Sequence, residues 1–358
     1  MPELLDFWDW GLRMRLNKVL LSNFRNFKKE SFDFQHTTII LADNTHGKTN
    51  LLEAIFYLST GKSFRAENEI DVINYDKDFA SIEGEVENTE GKEKLRVFIS
   101  GQEHQRKQLR VNGINRMISN FSGRFRSVIF TPENFNILQG SPEIRRRYLD
   151  NILIQIDREY VRNLSQYRKV VYQRNRLLES IRERKSKENE LDYWNEKLLE
   201  LGRFIQERRF QLISFLNDEL LKYSFLYRSK KQITLVYKNN LVSEERLFSH
   251  AQKEIAAGLT LIGPHRDEML VFLDGKKIES FGSRGEQRLG ILSLSLSAID
   301  FIEYCVKERP ILLLDDIFSE LDSYHKSSVQ DILEKQQSII TTTEWENGVS
   351  KKVQIIEL

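Results

Sequence analysis

Ser283-Arg284-Gly285-Glu286-Gln287-Arg288-Leu289 stands shortly before Ile311-Leu312-Leu313-Leu314-Asp315-Asp316, an apolar run that ends in paired acids. Far upstream, Gly47-Lys48-Thr49 follows a second apolar run, Thr38-Ile39-Ile40-Leu41. Each piece has a chemical reading. A Gly-Lys-Thr between a strand and a helix cradles phosphate. A Ser-x-Gly-x-Gln element at a helix start is a second anion site. Acids at the end of a buried strand offer hard oxygens to a metal ion and a base to water. In this chain order the three imply an ATPase whose two nucleotides lie sandwiched between two copies of one head.

The phosphate pattern G-x-x-x-x-G-K-[ST] falls on Ala42-Asp43-Asn44-Thr45-His46-Gly47-Lys48-Thr49, and Asn50-Leu51-Leu52-Glu53-Ala54-Ile55-Phe56 follows as a helix. Asn44, Thr45, His46, Gly47, Lys48, Thr49 and Asn50 are the candidate nucleotide ligands. Gly47 lets the backbone wrap closely, Lys48 places a charge on the β- and γ-phosphates, and the Thr49 hydroxyl ligates Mg²⁺. Ala42 replaces the first glycine, and Thr45 stands where such heads often have another. A Cβ at these places restricts φ and narrows the space for phosphate. The expectation is weaker ATP binding or a shifted pose. An accidental Gly-Lys-Thr is the competing reading, and the downstream elements argue against it.

Ile311–Leu314 follows Pro310 as a buried parallel strand should. Asp315 at its end is the candidate metal ligand beside Thr49. Asp316 is the candidate catalytic residue, placed to orient or deprotonate the attacking water. ABC-type and SMC heads usually have Glu here; Asp is one methylene shorter, which fits slow hydrolysis. Two solvated acids capping a strand are the alternative. Ser283, Gly285 and Gln287 resemble the signature that, in ABC-type heads, meets the γ-phosphate held by the partner head. Ser319-Glu320-Leu321-Asp322 resembles the loop crossing that interface, and Ile339-Ile340-Thr341-Thr342-Thr343 the switch strand, with Thr342 or Thr343 where His is expected. Phe130-Thr131-Pro132-Glu133 fits the Q-loop position, with Glu instead of Gln.

The remainder sets the architecture. The chain has 358 residues, 40% hydrophobic and 30% charged, enough for a large core and two lobes. Its 54 basic and 53 acidic residues leave a net charge of +1, so nucleic-acid binding must rest on local patches. The lone cysteine, Cys305, reads as a small core residue in a reducing compartment. No segment approaches the ~18–20 unbroken apolar residues of a membrane span, and the first residues lack a basic n-region, so the expected location is the cytoplasm.

Residues 1–13 read as an appendage or a short surface helix, and Met14 is an alternative start. Strand patterns lie at Arg15–Leu21, Ala80–Val86, Leu95–Ile99 and Gln232–Tyr237, and Val111-Asn112-Gly113-Ile114 reads as a type I′ hairpin. Ser141-Pro142-Glu143 is a helix start, with Ser as cap. From Glu143 to Leu201 there is no Gly or Pro. Leu153, Ile156, Tyr160, Leu164, Tyr167, Val171, Leu178 and Ile181 make one apolar stripe on a long helix. A second helical pattern runs from Leu191 to Leu226. The expected division is therefore an extension (1–13), a head split in sequence (14–142 and 229–358) and an inserted helical arm (143–228).

These elements together resemble the RecF family of bacterial recombination and repair proteins. Leu21-Ser22-Asn23-Phe24-Arg25-Asn26-Phe27, Gly61-Lys62-Ser63-Phe64-Arg65 and Gly140 through Asp150 carry the likeness, as does Gly263-Pro264-His265-Arg266-Asp267-Glu268. The resemblance implies an α/β fold of ABC/SMC-like ATPase-head type, a P-loop NTPase with a mixed sheet and a short helical arm. It implies ATP and Mg²⁺ as cofactors and an ATP-dependent homodimer. It also implies DNA binding at single-strand gaps, slow hydrolysis that releases the DNA, and help in loading RecA together with RecR and RecO mediators.

DNA binding has partial support in the residues. Arg158, Arg162, Lys169 and Arg176 share one helical face, offset from the apolar stripe, and could track phosphates without reading sequence. A solvated helix face is the alternative, and Arg145-Arg146-Arg147 reads equally as a structural buttress. A transporter ATPase subunit does not explain the inserted arm. A scaffold with a decayed switch fits Ala42 and Thr45 but not intact Lys48, Thr49, Ser283, Asp315 and Asp316.

Overall fold

A computed structural model describes residues 14–43, 46–101, 106–227, 231–317, 332–344 and 353–358. The 1–13 extension, Asn44, Thr45 and the 319–322 loop lie outside the described residues. In chain order the first elements are β1 (Arg15–Phe24), β2 (Phe27–Asp33), β3 (Thr37–Leu41), α1 (Lys48–Thr60), β4 (Phe79–Asn88), β5 (Gly91–Ser100), β6 (Arg106–Val111), β7 (Ile114–Arg116), α2 (Ile118–Phe121) and β8 (Ser127–Phe130). Next come α3 (Phe135–Gln139), α4 (Pro142–Leu153), α5 (Arg158–Arg182), α6 (Asp192–Leu220), β9 (Ile233–Lys238), α7 (Glu244–Ala257), β10 (Glu268–Leu273), β11 (Lys276–Lys277) and α8 (Ile278–Phe281). The last are α9 (Arg284–Val306), β12 (Ile311–Asp315), β13 (Ser338–Thr342) and β14 (Gln354–Glu357). The chain divides into two compact units, Met1–Pro132 with Ala298–Leu358, and Glu133–Ser297.

The first unit holds two sheets. One is antiparallel, in the order β2-β1-β4-β5-β6-β7; the other is parallel, in the order β14-β3-β13-β12-β8. Strands β3, β8 and β13 are wholly apolar or hydroxyl-bearing and β12 is apolar up to Asp315, as strands covered on both faces are, whereas the edge strand β14 carries Gln354 and Glu357 and is only partly buried; Ile311 to Leu314 are all fully buried. Helix α1 packs against strands of both sheets, and eleven of its 13 residues are buried. The core runs from Met14 and Leu16 through Phe24, Leu52, Tyr57 and Phe121 to Leu313 and Ile339. The hairpin at Asn112-Gly113 has φ of 50° and 80° and pairs Val111 with Ile114, as the type I′ reading requires.

The second unit holds α5 and α6 packed on each other, α7 against α5, and the antiparallel sheet β11-β10-β9, whose β9 packs on α6. Residues 143–228, expected as the arm, all lie in this unit together with 229–297. The expected single long helix is instead two. The chain leaves α4 after Leu153, and the Asp157 carboxylate restarts it by accepting from the amides of Glu159 (2.8 Å) and Tyr160 (3.0 Å). Ser141 does hold the N-cap position of α4 with Pro142 following, but its hydroxyl makes no cap bond. Leu153, Tyr160, Leu164, Tyr167, Leu178 and Ile181 are buried as the stripe predicted. Cys305 is exposed, contrary to expectation: it lies in the last turn of α9, one turn beyond the buried Phe301 and Ile302. Helix α9 is long and apolar enough to span a bilayer (mean hydropathy 1.6), but 72% of that window is buried within the protein, as befits a core helix.

The Gly263–Glu268 motif is the polar anchor of the second unit. Asp267 is fully buried and accepts from Gln206 Nε2 (2.9 Å), the Asn240 amide (2.7 Å), Tyr237 and Arg209. Arg209 also meets Asp150 at 2.8 Å and the Pro264 carbonyl at 2.7 Å. Arg145 bonds the Gly140 carbonyl and Glu268, and Arg146 the Asp267 carbonyl, so these cations buttress the motif. His265 donates from Nε2 to the Thr260 carbonyl (3.0 Å) and accepts the Tyr167 hydroxyl at Nδ1 (2.7 Å). Burial lowers its pKa from 6.5 to about 4. The fold therefore favours the neutral ring, and between those values the unfolded chain takes up the proton first. Stability is full above about pH 6.5 and is expected to fall by up to about 3 kcal/mol as pH drops toward 4. Urea midpoints across that range check this; His265→Gln should flatten the slope, and an unchanged slope would exclude this ring as its source.

Candidate nucleotide-binding site

Strand β3 lies between β13 and β14, and β13 between β3 and β12, all parallel, so their carboxyl ends share one edge. The loop after β3 and the acids after β12 therefore meet there. Gly47, at φ 100°, caps α1 without a side-chain bond, and its carbonyl accepts from the Leu51 amide at 2.9 Å. Only glycine takes that φ without strain. Lys48 is buried and donates to the Ala42 carbonyl at 2.5 Å, spanning the loop. The first turn of α1 carries no acidic residue of its own.

The Thr49 hydroxyl donates to Asp315 Oδ2 at 2.6 Å, and the Thr341 hydroxyl to Asp315 Oδ1 at 2.5 Å. Asp315 is 4% exposed, so this buried carboxylate is held by two hydroxyls. Thr49 and Asp315 present adjacent hard oxygens, the donor chemistry that suits Mg²⁺. Asp316 turns out of β12 at φ 50°, its amide donating to the Thr341 carbonyl (3.0 Å) and hydroxyl (3.1 Å). The structure thus brings Gly47, Lys48, Thr49, Asp315 and Asp316 together. His46 is exposed, and its carbonyl accepts from Asn26. Asn50 bonds Asn26 (2.7 Å) and Arg65 (2.5 Å). Thr341, one residue before the positions expected to replace the switch His, is the threonine that meets Asp315; Thr342 instead bonds the Glu344 carbonyl.

The Ser-x-Gly-x-Gln element lies in the second unit and opens α9 as read. Ser283 and Glu286 form a reciprocal cap: the Ser283 amide donates to Glu286 Oε2 (2.8 Å), and the Glu286 amide to the Ser283 hydroxyl (3.3 Å). Lys231, 2.6 Å away, holds the Glu286 carboxyl below the usual range. Ser283 and Gly285 are exposed, and no atom lies within 4 Å of where a Cβ on Gly285 would point. Gln287 departs from expectation. It is 5% exposed, and its amide donates to the carbonyls of Ile278 and Gly282 (both 3.1 Å) while accepting from Gln139 (2.8 Å). Its geometry braces the turn before Ser283 instead of facing a ligand.

Sequence reasoning missed Glu53, Asn26 and Thr341. Glu53 is fully buried in α1 and accepts from Arg25 (2.7 and 2.9 Å), Arg65 (2.9 Å) and Ser63 (2.6 Å). A single acid in an otherwise apolar helix was the available signal. This also places Arg65, as a structural partner of α1.

The chain matches the model of the RecF/RecN/SMC N-terminal domain over residues 15–357. It is 37% identical over 348 residues to the DNA replication and repair protein RecF of Bacillus thuringiensis (strain Al Hakam), covering 92% of each chain. A solved structure of the recombination mediator protein RecF with ATP, in the RecFOR pathway, superposes with a TM-score of 0.88 at 31% identity, over 97% of this chain and 96% of that one. The Smc head domain of Pyrococcus furiosus aligns at 17% identity and a TM-score of 0.52, over 92% and 90% of the two chains, a likeness of fold alone. The α/β architecture is thus that of an ABC/SMC-like ATPase head, and the chain belongs to the RecF family.

Proposed function

We propose that this chain is an ATP-operated DNA clamp of recombinational repair and replication restart, acting in the cytoplasm. The observation that carries the reading is the Thr49–Asp315 pair, 2.6 Å apart beside Lys48 on one sheet edge. A relative named for DNA replication and repair, and a similar structure holding ATP, support it. Lys48 and the Gly47 amide bind the triphosphate. Thr49 and Asp315 hold Mg²⁺, which supplies charge neutralisation. Asp316 orients the attacking water, and its short reach keeps hydrolysis slow. Ser283 and Gly285 of a second copy close on the γ-phosphate, so the dimer persists only while ATP does.

The DNA-facing surface is the outer side of α5. Arg158, Arg162, Lys169 and Arg176 are exposed, and none forms an ion pair with another described residue. Cations left for solvent along one face contribute affinity through counterion release and carry no sequence preference. In this reading the dimer marks single-strand gaps and helps RecA load with RecR- and RecO-type mediators.

Fluorescence anisotropy on a gapped duplex, with ATP–Mg²⁺, ADP–Mg²⁺ or no nucleotide, tests the proposal. Binding is expected only with ATP–Mg²⁺ and is expected to disappear in Ser283→Arg. Binding indifferent to nucleotide would favour a scaffold whose altered loop (Ala42, Thr45) has uncoupled the switch. Absence of binding would remove DNA as the partner.

A further inference from the structure

We propose that Asn26, in the turn between β1 and β2, is a positioning residue that sets the phosphate loop for its ligand. The inference rests on the reading that this loop holds the triphosphate. A Cβ built on Gly47 would lie 2.4 Å from Asn26 Nδ2 and 2.7 Å from its Oδ1. The space that the missing side chain leaves open is thus taken by the Asn26 carboxamide, laid against the Gly47 backbone. The same carboxamide donates from Nδ2 to the His46 carbonyl (3.2 Å) and accepts at Oδ1 from Asn50 Nδ2 (2.7 Å). One side chain therefore grips the residue before Gly47, Gly47 itself and the first turn of α1.

The grip is anchored. Arg25, its chain neighbour, holds the buried Glu53 carboxylate in two hydrogen bonds, and Arg65 joins Asn50 to that carboxylate. A loop whose amides must converge on phosphate binds more tightly when they are aimed in advance. In this chain the glycine that opens the usual pattern is Ala42, so the loop's conformation depends more on its neighbours. Only an amide of this length both donates to His46 and accepts from Asn50. Asp keeps the acceptor but turns a carboxylate toward a carbonyl and toward the ligand's phosphates; Ala keeps neither bond. Asn26 is exposed, so its replacement leaves the core intact.

Titration calorimetry of the full-length chain with ATP–Mg²⁺ and ADP–Mg²⁺, beside nucleotide-free melting curves, tests this on Asn26→Ala and Asn26→Asp. The expected result is about tenfold weaker binding for Ala, the scale of one or two hydrogen bonds, and a larger loss for Asp, with melting unchanged. Asn26→Ala and Asn50→Ala should be non-additive, since they break one contact. Affinities within twofold of the parent overturn the proposal. So does a loss matched by an equal fall in nucleotide-free melting, which would make Asn26 a general stabilising residue. A parent chain that binds neither nucleotide would overturn the nucleotide reading itself, and this inference with it.

Discussion

Arg209→Ala is expected to destabilise the chain by about 3–5 kcal/mol, the scale for removing one partner from a buried ion cluster. Arg209 is 2% exposed and pairs with Asp150 and Asp267, which are 6% and 0% exposed. The energy at stake is less the attraction than what remains after the cut: two carboxylates under the surface, their shared cation gone. Tyr160 and Tyr237 donate to the same carboxylates, so they cannot also replace the charge. Asp150 is on α4, Arg209 on α6 and Asp267 just before β10, so one guanidinium ties three segments of the second unit. Urea unfolding measures the change. A loss under about 1 kcal/mol would mean that water reaches the cluster and carries the charge, as at exposed pairs. Arg209→Lys should recover only part of the loss, because a single ammonium cannot serve Asp150, Asp267 and the Pro264 carbonyl in the planar fork that arginine provides.

What the sequence made legible was local or strictly periodic. The Asn112-Gly113 turn could be read because its φ requirement belongs to two adjacent residues. Strand β12 could be read because a strand covered on both faces must be apolar along its length. The Ser-x-Gly-x-Gln element announced the start of α9 by its spacing, though the reciprocal cap between Ser283 and Glu286 came only with the structure. The failures share another cause. Asp157 breaks a helix that the apolar stripe crosses without a gap, because a side chain bonding its own backbone competes with periodicity. Gln287 fits a ligand pattern, yet its surroundings turn it inward to carbonyls five to nine residues away. Asn26, Glu53 and Thr341 matter through partners 10 to 28 residues distant, and no local pattern registers that. The β9–β11 sheet likewise shares a compact unit with the helices through packing on α6 that its own alternation does not reveal.

The second large effect concerns Asp316. Asp316→Asn is expected to slow ATP hydrolysis by about 10²–10³-fold, the range for losing a general base, while ATP–Mg²⁺ affinity stays within a few-fold of the parent. The separation follows from how the two acids are held. Asp315 is tied through its carboxylate to Thr49 and Thr341, so changing it disturbs the proposed metal ligand and the strand end together. Asp316 is placed by its backbone, with the amide on the Thr341 carbonyl and hydroxyl, and φ of 50° is a conformation asparagine accepts readily. The amide variant should therefore keep the fold and the nucleotide and lose only the base. In the clamp reading, such a chain would still bind gapped DNA with ATP but leave it far more slowly, so dissociation should slow roughly in step with hydrolysis. Single-turnover hydrolysis and DNA dissociation measured on the same preparation decide the matter. Unchanged hydrolysis would move the base elsewhere, whereas loss of ATP binding together with hydrolysis would make Asp316 a ligand-holding residue and not the base. Slowed hydrolysis with unchanged DNA release would leave Asp316 in place as the base and show that the clamp opens by some route other than turnover.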